Sequence, residues 1–63
     1  MKLSGRQFET LCNIRDLEMS GQMRFIYAKE AVDLCIMDFA ERQPGLGPSY
    51  RLTPKGWRLL DPT

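Results

Sequence analysis

Residues 50–60 read YRLTPKGWRLL, and the reading of the whole chain turns on them. Tyr50, Arg51 and Leu52 alternate like a short strand. The strand stops because Thr53 is a good N-cap and Pro54 has its φ preset for a first helical position. A short helix therefore follows, carrying Trp57, Leu59 and Leu60, with Asp61-Pro62 closing it. Trp57 is the largest apolar group available and is expected to anchor this helix to the core, its indole N–H finding a partner if fully buried.

Upstream of this strand, Gly45, Gly47 and Pro48 mark a tight loop. Before the loop, AKEAVDLCIMDFAER is periodic, which predicts a helix from Ala28 to Arg42 stopped by Pro44-Gly45. Ala31, Val32, Cys35, Ile36 and Phe39 share its core side. Leu34 and Met37 fall on the opposite side, among Glu30, Asp33, Asp38 and Glu41. That side reads either as an ordinary solvated face or as a contact surface for a larger protein, with two apolar anchors ringed by carboxylates. Met23–Tyr27 (MRFIY) is short, aromatic and β-branched, and reads as a strand.

At the start of the chain, Ser4 and Gln7 have the spacing of a capping box. Phe8, Leu11, Cys12 and Ile14 form the apolar stripe of the helix that follows, and Ser20-Gly21 ends it. Arg15 projects from the middle of that stripe. It either snorkels to water near the negative helix pole or pairs with a carboxylate of the other long helix. The expected order is α-β-α-β-α, an α+β fold in which the two short strands can pair.

Sixty-three residues make one small domain, 1–63, with a marginal core. The chain starts with Met and reads as a complete small product without a signal peptide or membrane span, which suits the cytoplasm. Nine basic and eight acidic side chains nearly cancel. The apolar fraction of 43% is generous for this length, so some apolar surface is expected against a partner or a second copy. Two cysteines and no histidine leave no classical zinc spacing and no Ser-His or Cys-His nucleophile. Cys12 and Cys35 sit among apolar residues at helical spacing, which favours two buried free thiols over a Cys12–Cys35 pair. No phosphate-cradling Gly-rich motif is present, so neither catalysis, metal nor cofactor is expected.

YRLTPKGWRLL resembles the signature Y-x-LT-x-KG-x-x-LL that ends the wing of small bacterial winged-helix regulators of the PadR and MarR kind. LSGRQFETLCNI resembles the first helix of the same families. Together the two stretches cover a little over a third of the chain. The resemblance implies a winged-helix-like domain, often a homodimer, that binds duplex DNA and regulates transcription. By that analogy Arg42, Arg51, Lys55 and Arg58 would contact phosphate around a reduced wing. The middle of the chain departs from the pattern. One periodic run fills the space of two helices and carries two basic and four acidic residues, an unfavourable charge to bring against duplex phosphates. The alternative function is a small non-enzymatic binder, of the size and composition encoded by phages and mobile elements. It would inhibit or adapt a larger protein through the face of Glu30, Asp33, Leu34, Met37, Asp38 and Glu41.

Overall fold

The computed structural model describes residues 3–60. Three helices and one two-stranded antiparallel sheet follow one another as α1 (Gly5–Ser20), α2 (Lys29–Ile36), β1 (Ala40–Gln43), β2 (Ser49–Leu52) and α3 (Pro54–Leu60). The class is α+β and the order α-α-β-β-α. Asp61-Pro62, expected to close the last helix, lie outside the described residues.

The first helix starts and stops as its sequence predicts. The Ser4 hydroxyl accepts from the Gln7 amide at 3.2 Å, and the Gln7 side chain accepts from the Ser4 amide at 3.0 Å. Gly21, at φ 72°, donates to the Glu18 carbonyl, while Gln22 donates to the Leu17 carbonyl. This pair of bonds is the Schellman closure, whose left-handed position suits glycine.

The second helix is half the length expected. It ends at Ile36 with the same closure: Phe39 donates to the Leu34 carbonyl at 2.9 Å and Asp38 to the Cys35 carbonyl at 3.1 Å. Here Asp38, at φ 68°, holds the left-handed position. No Gly or Pro marked this turn, and the apolar spacing of Cys35, Phe39 and Ala40 continues a helical period, so the turn was invisible to pattern reading. Residues 40–43 are a strand instead, because pairing with residues 49–52 satisfies their backbone groups as a ladder. The register sets Ala40 opposite Leu52, Glu41 opposite Arg51, Arg42 opposite Tyr50 and Gln43 opposite Ser49.

Met23–Tyr27 is not a strand, although its composition predicts one. One backbone bond ties it to the hairpin turn, from the Ile26 amide to the Pro48 carbonyl at 2.8 Å. The segment therefore crosses the hairpin without forming a ladder.

The core is a cluster of Leu11, Ile14, Leu34, Phe39, Ala40 and Leu52. Ile26, Met37, Tyr50, Trp57 and Leu60 pack around it. The direction of α2 differs from the sequence reading. Leu34 is 0% exposed, while Ile36 is 78% exposed and Val32 is also at the surface. Ala31 and Leu34, three residues apart, are the buried pair of this helix. Phe8, expected in the apolar stripe of α1, is nearly half exposed, and the buried residues of that helix are Thr10, Leu11 and Ile14. Arg15 pairs with Asp16 on its own helix at 3.2 Å and reaches no other element through that bond.

Thr53 joins the two halves of the molecule. Its amide donates to the Phe39 carbonyl at 3.2 Å and its hydroxyl to the Asp38 carbonyl at 2.6 Å. The same hydroxyl accepts from the Gly56 amide at 3.1 Å, the N-cap bond predicted for this threonine. Gly56 packs so closely on the turn before β1 that a Cβ there would lie 2.0 Å from the Phe39 carbonyl oxygen. Only glycine allows this approach. Glu18 reaches from α1 to accept the Leu52 amide at 2.9 Å, tying the first helix to the hairpin edge.

Candidate nucleic-acid interface

The residues of the YRLTPKGW stretch divide into those that hold the fold and those free to meet a ligand. Leu52, Thr53 and Gly56 are buried and belong to the joint between α2, β1 and α3. Lys55 is exposed, but its ammonium donates to the Met37 carbonyl at 3.1 Å and lies 4.9 Å from the centre of the Phe39 ring. That cation is partly engaged by the turn that ends α2. Arg51 pairs with Glu41 directly across the two strands.

Strand alternation sends Arg42 and Arg51 to opposite faces of the hairpin. Both nevertheless border one shallow cleft with Met23, Gln43 and Pro44. A neighbouring cleft shares Met23 and Gln43 and adds Arg24. Met23 thus borders two clefts beside the exposed turn of the hairpin, one with Arg42 and Arg51 and one with Arg24 and Glu18. Arg58 is exposed on α3 and borders neither cleft. Of the four cations named by sequence, the structure brings together Arg42 and Arg51, engages Lys55 elsewhere and leaves Arg58 apart.

The acidic contact face does not assemble as expected. Leu34, one of its two anchors, is fully buried, and Met37, the other, is half-buried against the core. Glu30 lines a groove of about 740 Å³ between α1 and the crossing segment. Asp33 accepts from the Gln7 side chain at 3.4 Å. Asp38 is committed to the left-handed turn and Glu41 to Arg51. The six residues therefore do not form one surface ring around two apolar anchors. The error follows from α2 ending at Ile36: with the helix shortened, Asp38 and Glu41 leave its face altogether.

Sequence reasoning missed Arg24, Phe25 and Tyr27 as surface groups. Sequence reading makes the segment only a short strand and assigns no face to Met23, Phe25 and Tyr27. All three side chains are exposed. The Phe25 ring covers Gly47, where a Cβ would come within 2.7 Å of it, and Tyr27 stands edge-on to Phe25 with centroids 6.5 Å apart. Leu46 at the hairpin tip is fully exposed.

Both cysteines are free and half-buried. Burial pushes the Cys35 thiol up, against a smaller opposing pull from the nearby Arg42 charge. Among the described residues no group of three or more Cys, Asp or Glu is close enough to hold a metal ion. No helix among them is long and apolar enough to cross a membrane. No protein-family model, curated protein or solved structure matches the chain.

Proposed function

We propose that this chain is a small non-enzymatic nucleic-acid-binding module, a reduced winged-helix-like regulator that holds duplex DNA through its hairpin side. The observation that carries this reading is the cleft that Arg42 and Arg51 border, adjoining one that Arg24 borders, beside a short turn with an exposed tip. Arginine suits such a role because its planar fork meets phosphate oxygens bidentately. The acidic residues of α2 lie on another element, so they need not face the phosphates.

The test is a fluorescence-anisotropy titration of labelled duplex at several salt concentrations. Two or three neutralised phosphates give a log–log salt slope of about −2 to −3. Replacing Arg24, Arg42 and Arg51 together by Gln should abolish binding with the circular dichroism unchanged. If no duplex is shifted by micromolar protein at about 50 mM salt, the reading fails, since low salt is where phosphate contacts are strongest.

A second reading keeps a larger protein as partner, now through a corrected surface. Val32 and Ile36 stand exposed on α2, with Lys29 and Asp33 close by in sequence and space. Pull-downs with and without nuclease, comparing the natural chain with a Val32→Ser/Ile36→Ser variant, separate the two readings. Retention that survives nuclease and is lost in that variant favours the protein partner.

A further inference from the structure

The edge of β2 that faces away from β1 has one open position. Thr53 donates to the Phe39 carbonyl, which makes residues 51 and 41 a bonded pair of the ladder and turns the backbone groups of Tyr50 and Leu52 outward. The Leu52 amide is held there by Glu18 at 2.9 Å, and at the other end of the edge the Pro48 carbonyl accepts from the Ile26 amide at 2.8 Å. Between these two anchors, neither the amide nor the carbonyl of Tyr50 has a partner among the described residues. Backbone groups left so at a strand edge are a template for pairing.

Ser49, the preceding residue, adds a second polar group without a partner. It is 1% exposed, and its hydroxyl makes no hydrogen bond. An unpaired buried hydroxyl lowers the stability of a folded domain, so it calls for a reason beyond packing. Ser49 and Tyr50 border the same cleft of about 180 Å³, between the end of α1, the start of the crossing segment and the hairpin. Glu18 and Arg24 border it too, so it carries one charge of each sign. At about 30 Å³ for each water-sized unit, the cleft suits a ligand of roughly six non-hydrogen atoms, the size of alanine. The anchors on either side leave a single residue of the edge open, which excludes a passing strand.

We propose that this cleft binds a small free α-amino acid as a zwitterion. Its ammonium donates to the Tyr50 carbonyl and the Glu18 carboxylate. Its carboxylate accepts from the Tyr50 amide, the Arg24 guanidinium and the Ser49 hydroxyl. Each open group of the cleft then meets a partner of the opposite kind. A simple anion leaves Glu18 and the carbonyl unmet, and a simple cation leaves Arg24 and the two neutral donors unmet. The proposal goes beyond the nucleic-acid reading and does not rest on it.

The experiment titrates the whole isotope-labelled chain with L-alanine and follows the backbone amide signals of Tyr50 and Arg24. Alanine should move both saturably, with a Kd of about 1 mM or a few times that. N-acetylalanine and alanine amide each lack one charge and should bind at least about tenfold more weakly. Ser49→Ala should weaken alanine binding about three- to tenfold while Tm stays level or rises, since the hydroxyl it removes is unpaired. Arg24→Gln, at an exposed position, should weaken binding by about tenfold with the melt unchanged. No saturable shift up to about 100 mM alanine, or blocked compounds that bind as well as alanine, overturns the proposal. So does either variant that binds alanine like the natural chain, whatever its Tm.

Discussion

Asp38 occupies a left-handed backbone position that glycine fills at the end of α1. An L side chain there costs about 1–2 kcal/mol, although aspartate tolerates it better than most residues. Asp38→Gly removes that strain but adds freedom to the unfolded chain, a penalty of about 0.4–1 kcal/mol. The expected net gain is about 0.5–1 kcal/mol, read as a rise of a few degrees in a thermal melt, since 1 kcal/mol moves Tm by about 4–8 °C at this size. An unchanged or lowered Tm would show that the aspartate side chain contributes to the turn itself. The same residue explains why the turn was not legible in the sequence. Pattern reading recognises a helix end by Gly or Pro, and here the backbone hydrogen bonds close the helix without either.

At the scale of elements, α2 shows how a helix is oriented by what it packs against. Its apolar residues ring it nearly all round, and their spacing put Ala31, Val32, Cys35, Ile36 and Phe39 on the core side. Tertiary packing keeps Ala31 and Phe39 buried but turns Leu34 in and Val32 and Ile36 out. Leu34→Ala should cost about 2–5 kcal/mol. The whole domain has roughly 3–9 kcal/mol at about 0.05–0.15 kcal/mol per residue, so the variant should be partly or wholly unfolded. Val32→Ser, two residues earlier, should change stability by less than about 0.5 kcal/mol. Chemical denaturation followed by Trp57 fluorescence measures both. Equal losses in the two variants would contradict the orientation of α2. By contrast, β2 and the start of α3 were legible down to the cap, because Thr53 and Pro54 each carry a local backbone requirement that no packing choice alters.

For the whole molecule, near-neutral net charge conceals an uneven distribution, and Glu41 is the acid paired with a hairpin arginine. Its pairing with Arg51 across the strands is exposed and contributes only about 0–1 kcal/mol to stability. Glu41→Gln should leave the melt nearly unchanged, free Arg51 and tighten DNA binding about two- to fivefold in the same titration, a change of about 0.4–1 kcal/mol. Weaker binding would mean that Glu41 holds Arg51 in its binding posture. Arg42 and Arg51 were candidates, with Lys55 and Arg58, by analogy with a wing. Arg24 was not, because its neighbourhood exists only once residues 22–28 cross the hairpin. The sequence by itself determined the α+β class, both ends of α1, the tight loop marked by Gly45, Gly47 and Pro48, and the capped last helix. Each of these is set by residues within a few positions of one another, where a cap, a glycine or a proline settles the backbone locally. Only the tertiary structure decided which face of α2 is buried, that residues 40–43 pair as a strand while residues 23–27 do not, and which cations meet. These depend on contacts between residues far apart in the chain, and local spacing carries no energy term for them.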